Sequence, residues 1–153
     1  MQWFPDFIRN PFLITALSSW FIAQVIKVIL NFAVNKKLSI ERLFGDGGMP
    51  SGHSATVASL ATISGLMHGF GSYQFAIAAV FAVIICHDAM GVRLEAGKQA
   101  GAINEILRSF QGKTWDQLPE ASFKELLGHT PIQVAAGILL GILNAIYMYD
   151  YVI

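Results

Sequence analysis

Apolar residues fall into four long runs with polar breaks between them, the pattern of helices that cross a membrane. The first run, residues 11–34, goes from Pro11 to Val34; a bilayer core needs about 20 residues, so it can span. The second, 53–69, is weaker, with Ala, Ser, Thr and Gly in place of Leu and Phe. The third, 73–92, is strongly apolar through Phe75, Ile77, Val80, Phe81, Val83, Ile84 and Ile85, and the fourth covers 131–152. A Gly-Phe-Gly-Ser turn at 69–72 predicts a tight hairpin between the middle two. Residues 93–129 are polar and too long for a mere turn. Within them Ile103, Ile106, Leu107 and Phe110 recur at helical spacing, and a shorter amphipathic stretch around Phe123, Leu126 and Leu127 follows Pro119. Both stretches predict interfacial helices lying over the bundle. No internal repeat or low-complexity linker interrupts the chain. The expectation is an all-α integral membrane bundle of about four spans, a single domain over 1–153.

Composition sharpens this reading. Of 153 residues, 54% are hydrophobic and 13% charged, against about 25% charged in an average soluble domain. A net charge of zero argues against a nucleic-acid partner. The single cysteine, Cys86, excludes an intrachain disulfide. No removable signal peptide is expected, because the N-terminal stretch is polar and aromatic and Arg9 directly precedes the first apolar run.

Four crossings would place the 35–52 loop and the 93–129 segment on one face. Lys36, Lys37, Arg42, Arg93, Lys98, Arg108, Lys113 and Lys124 all fall there, whereas Arg9 alone lies on the opposite face. The positive-inside tendency makes the loaded face cytoplasmic and both termini extracytoplasmic. The second and fourth spans both begin on that face, so two positive helix ends point to it.

The chemistry gathers at those two helix starts. Gly47-Gly48-Met49-Pro50-Ser51-Gly52-His53-Ser54 joins a glycine-rich loop to the second span. Glycines let the backbone approach an anion, Ser51 and the free amides of a starting helix donate hydrogen bonds, and His53 can donate or carry a proton. An ordinary capped helix would also explain the run, so the motif alone decides nothing. His129-Thr130-Pro131 opens the fourth span, with Thr130 a fitting N-cap and Pro131 a natural first residue. Two histidines, two helix starts and several cations on one face describe an anion site.

Lys27 lies within the first span, where a charge costs at least about 2.5–3.5 kcal/mol near the bilayer centre and faces a partner or a wet cavity. Asp88 is a candidate partner, and snorkelling to the interface is the structural alternative. Arg93 emerges where a guanidinium suits a phosphate, or serves as a topological anchor. Cys86, His87 and Asp88 are consecutive, so their side chains diverge around a helix and cannot converge on one metal ion. Gly137-xxx-Gly141 and Ala61-xxx-Gly65 permit close helix approach, within the chain or in a homodimer.

Gly48-Met49-Pro50-Ser51-Gly52-His53-Ser54 resembles the Pro-Ser-Gly-His motif of the type 2 phosphatidic acid phosphatase superfamily, to which the vanadium-dependent haloperoxidases belong. Gly128-His129-Thr130-Pro131 is similar to the segment carrying that family's nucleophilic histidine. Asp88 to Arg93, with Gly97 and Gln99-Ala100, resembles the small divergent membrane branch. The resemblance implies that His129 attacks the phosphoryl group to form a phosphohistidine and that His53 protonates the leaving oxygen. Ser51 and the Gly52 amide would hold equatorial oxygens, and Lys27, Arg42 and Arg93 would neutralise charge. Asp88 would stand in for a missing carboxylate, because the family's aspartate one turn after the nucleophile is Gln133 here. Lys27 and Arg42 are also further apart than in the family's first motif, and Arg93 lies far upstream of His129.

The expected function is therefore a metal-independent lipid phosphate or diphosphate phosphatase without a cofactor, in the plasma membrane of a bacterium, its pocket facing the cytoplasm. Its expected partners are membrane lipid and a phosphate or lipid-phosphate ligand. The alternatives are a phospholipid or polyprenyl-phosphate binder or carrier without turnover, and a structural membrane subunit.

Overall fold

A computed structural model describes residues 3–36, 48–110 and 128–152. Among them the regular structure is wholly helical: α1 (Trp3–Ile8), α2 (Pro11–Asn35), α3 (Gly52–His68), α4 (Tyr73–Met90), α5 (Val92–Phe110) and α6 (Pro131–Tyr151). The polar breaks supply the caps. Asn10 accepts from the amides of Phe12 and Leu13 ahead of Pro11, Ser51 accepts from Ser54, and Ser72 accepts from Phe75. Each satisfies an amide that the helix cannot, and such caps are typically worth about 1 kcal/mol.

The four expected apolar runs thus become α2, α3, α4 and α6, with ends displaced by a residue or two. Among the described residues, three stretches are long and apolar enough to cross a membrane: Pro11–Ala33, Tyr73–Ser109 and Pro131–Tyr151. The remaining bundle helix, α3, has 17 residues, about 25 Å at the helical rise. It is the centre of the molecule, packed against α2, α4 and α6. Its Ser54, Ala55, Val57, Ala58, Ser59, Ile63 and Ser64 are buried. That position explains its small-residue composition, because three neighbours can close on a helix only where its side chains are short.

The closest approach is between α3 and α6. A side chain at Gly137 would strike the Ser51 carbonyl, and one at Gly141 the Ala55 carbonyl. The small-residue pair in α6 therefore serves packing inside the chain, and its order along α3 makes the two helices parallel. Helix α2 runs the other way, with Trp20 beside Gly52 at one end and Phe12 stacked on His68 at 5.2 Å at the other. Asn144 of α6 ties in by donating to Ser18 Oγ at 2.9 Å and Ser19 Oγ at 2.8 Å.

Large apolar side chains face outward instead of inward. Phe21 and Ile29 on α2, Ile77, Val80, Val83 and Ile84 on α4, and Leu139 and Leu143 on α6 are exposed. An apolar surface on three sides of a core of Ala, Ser and Gly is the arrangement lipid demands. The chain is an integral membrane protein.

The polar segment begins differently from the expectation. Helix α5 follows α4 after the single residue Gly91, whose amide donates to His87 O at 2.9 Å and whose carbonyl accepts from Glu95 at 3.0 Å. The ladder is therefore almost continuous through the break. Helix α5 is amphipathic, but it buries Gly97, Ala100 and Asn104 and exposes Ile103 and Ile106. The second amphipathic stretch, around Phe123, lies outside the described residues.

Candidate anion site

The amino ends of α3 and α6 meet at one end of the bundle. The Ser51 amide donates to the Gln133 carbonyl at 3.0 Å, and the His129 amide donates to Ala89 O at 2.9 Å, at the carboxyl end of α4. These two bonds draw together segments that are 82 and 40 positions apart in sequence (133 − 51 and 129 − 89). Gly128 makes the second approach possible. Its φ is +90°, and a side chain there would strike the backbone of Arg93 and Leu94, so both conformation and space require glycine.

His53 and His129, 76 positions apart in sequence (129 − 53), face each other with ring centroids 6.4 Å apart and planes inclined at 61°. His129 is 3% exposed, whereas His53 is exposed at the mouth. One ring is thus held in the protein and the other can meet an incoming group.

Gln133 determines how the buried ring is presented. Its Oε1 accepts from the Thr130 amide at 3.0 Å and lies 3.3 Å from His129 Nδ1. An amide N–H can only donate, so this contact identifies the oxygen end of the glutamine. The same oxygen then requires Nδ1 to carry a proton, so in the neutral ring the lone pair is on Nε2. A neutral glutamine orients the imidazole as the expected carboxylate would, without stabilising its charged form as strongly.

Ser51 is fully buried, and its Oγ accepts from the Ser54 amide at 3.3 Å and Ser54 Oγ at 2.9 Å, so its own hydroxyl proton is left to donate. The Gly52 and His53 amides belong to the first turn of α3, where a helix offers no carbonyl to receive them. Lys27 is 7% exposed, and its stem passes within 3.9 Å of the position a Cβ would take at Gly48. A buried cation therefore lies along the glycine loop.

The remaining expected residues divide. Arg93 Nε bonds Asp88 Oδ2 at 2.7 Å, with both side chains partly exposed. Asp88 thus pairs with Arg93 and not with Lys27, since five positions along the α4–α5 junction bring carboxylate and guanidinium side by side. The backbone at Arg93 lies against Gly128, next to His129. Arg42 lies outside the described residues.

One residue at the site was absent from the expectations. Gln24 is 5% exposed, and its Nε2 would lie 3.6 Å from a Cβ at Gly52. The signal was available: Trp20, Gln24, Lys27 and Asn31 follow the 4-3-4 spacing of a single helix face. An apolar groove of about 440 Å³ also opens at His53, lined by Leu17, Trp20, Val57, Phe81 and Ile85. It runs between α2 and α4 with α3 as its floor.

The family model described as the Divergent PAP2 family matches residues 8–144. The uncharacterized membrane protein YuiD of Bacillus subtilis (strain 168) is 42% identical over 147 residues, which is 90% of this chain and 93% of its own length. No solved structure matches the chain significantly.

Proposed function

The chain belongs to the Divergent PAP2 family, and from that membership we propose that it hydrolyses the phosphate or diphosphate ester of a membrane lipid through a phosphohistidine on His129. The observation that carries the reading is the pairing of two histidines 6.4 Å apart, one buried with its Nε2 lone pair directed by Gln133 and the other open to the surface.

In the proposed reaction His129 Nε2 attacks phosphorus and the bond to the leaving oxygen breaks, while His53 delivers a proton to that oxygen. Water then attacks the phosphohistidine, His53 takes its proton, and phosphate departs with His129 restored. Between these steps charge sits on the equatorial oxygens. Ser51, the first-turn amides of α3 and Lys27 would receive it, and a preorganised donor of this kind is worth roughly 2.7–4 kcal/mol where it has been removed from other enzymes. Arg42 and Arg93 would supply further positive charge, Arg93 by exchanging Asp88 for the ligand. The groove beside His53 supports a hydrocarbon-bearing substrate, since a tail in it leaves its head group beside the histidines. A cytoplasm-facing pocket is supported by the sequence: segments 35–52 and 93–129, which precede α3 and α6, carry eight of the ten Lys and Arg residues.

A second reading has one observation in its favour. Gln133 is neutral where a carboxylate would favour the imidazolium, which suits a protein that binds lipid phosphate and releases it unchanged. Phosphate release from a panel of lipid phosphates by purified protein, beside His129→Ala, separates the two. The phosphatase reading expects release that His129→Ala abolishes and that orthovanadate inhibits by imitating the transition state. Binding without release in either protein establishes the carrier.

A further inference from the structure

Helix α2 passes along the glycine loop with Trp20, Gln24, Lys27 and Asn31 on one face. At this face Trp20 and Gln24 come against Gly52, and the stem of Lys27 comes against Gly48. The first and last amino acids of the Gly48–Gly52 loop are therefore each covered by a side chain from the same helix. Lys27 has a role in the reading above; Gln24 does not. Yet Gln24 is 5% exposed, and its Oε1 is buried with no hydrogen-bond partner among the described residues.

A buried amide oxygen without a partner is costly, because it loses water and gains nothing. Leucine has nearly the same volume and would fill the position without that cost. The position therefore makes physical sense if something outside the protein completes the amide. Gly52 keeps the way open: it is the first residue of α3, and a side chain there would lie 3.6 Å from Gln24 Nε2 and 3.3 Å from the Trp20 ring. With hydrogen alone at that carbon, the carboxamide faces the first turn of α3, whose amides already make the place an anion site.

We propose that Gln24 is a ligand of the phosphoryl group, its side-chain nitrogen donating to a nonbridging oxygen held at the first turn of α3. The inference rests on the reading that this site binds phosphate. A carboxamide suits the task in a way that a second lysine would not. Its neutral nitrogen has two N–H groups to donate to ionised oxygens. It also adds no charge beside Lys27, which would otherwise face a like charge one turn away.

The test measures binding of inorganic orthovanadate and phosphate to the full-length protein by calorimetry, together with the melting temperature of each variant with and without ligand. Wild type, Gln24→Leu, Gln24→Met and Lys27→Met are compared. The expected result is that Gln24→Leu and Gln24→Met melt at or above the wild-type temperature yet bind vanadate about 10–100-fold more weakly, the range for losing a hydrogen bond to a charged group. Ligand would correspondingly raise their melting temperatures less. Gln24→Met keeps the test intact if the branched leucine disturbs packing. Wild-type affinity in both Gln24 variants, with affinity lost in Lys27→Met, would overturn the role of Gln24 and leave the phosphate site standing. No binding by the wild type would overturn the phosphate site itself, and this proposal with it.

Discussion

At the scale of single residues, Gln133 joins two tasks that could have been separate. Its side-chain oxygen closes the first turn of α6 on Thr130 and holds the His129 ring at Nδ1. Gln133→Leu should remove both contacts. Phosphate release is expected to fall about 100-fold, the low end of what a positioned acid–base group contributes. Affinity for inorganic phosphate should stay within a few-fold of wild type, because the oxygen-binding donors are untouched. Gln133→Asp should instead raise turnover, since a carboxylate one turn beyond the nucleophile stabilises the imidazolium that forms during attack. Single-turnover and steady-state phosphate release, measured side by side, check both expectations. The sequence made His53, His129, Ser51 and Lys27 legible because motif residues announce themselves by type. It did not show that Gln133 reaches the His129 ring, which depends on where one glutamine rotamer points.

Between elements, the decisive contact is the parallel pair α3 and α6. Gly137 lies against the Ser51 carbonyl and Gly141 against the Ala55 carbonyl, so the spacing of these helices sets the spacing of the histidines at their amino ends. Gly137→Val should force the helices apart. Overpacking of this kind typically costs about 1–3 kcal/mol, to be read as a lower melting temperature in detergent. Phosphate release should fall further than the stability change explains, because His129 would be carried away from His53. Gly141→Ala, one turn further from the site, should lower the melting temperature with a smaller effect on turnover. The weak apolarity of α3 was visible in the sequence, but its meaning was not. A helix rich in Ala, Ser and Gly reads as a poor span until three neighbours are seen packed around it.

For the whole molecule, lipid surrounds a polar centre, and the groove between α2 and α4 connects the two environments at His53. A long tail already in the bilayer gains almost nothing by moving into the groove, since both surroundings are hydrocarbon. Short, water-soluble alkyl phosphates are different. Each methylene removed from water is worth about 0.8 kcal/mol, or roughly fourfold in affinity. KM for such substrates should therefore fall with chain length until the groove is filled. Leu17→Trp should flatten that dependence by occupying the groove, while leaving the KM of the shortest phosphates nearly unchanged. A series of alkyl phosphates assayed on wild type and Leu17→Trp measures this directly.

Periodicity, caps and turn residues were enough to locate all four bundle helices, because a span must satisfy its own backbone and therefore writes its length into a local run of residues. The same local logic marked Ser51 and Pro131 as helix starts. What no run of residues could specify was which helix lies in the middle, which face of α2 meets the glycine loop, and that Asp88 turns to Arg93. Those outcomes come from contacts between distant segments, settled by which small side chains permit closest approach. Gln24 shows the difference: along the chain it is one polar residue in an apolar helix, and only beside Gly52 does its amide acquire something to bind.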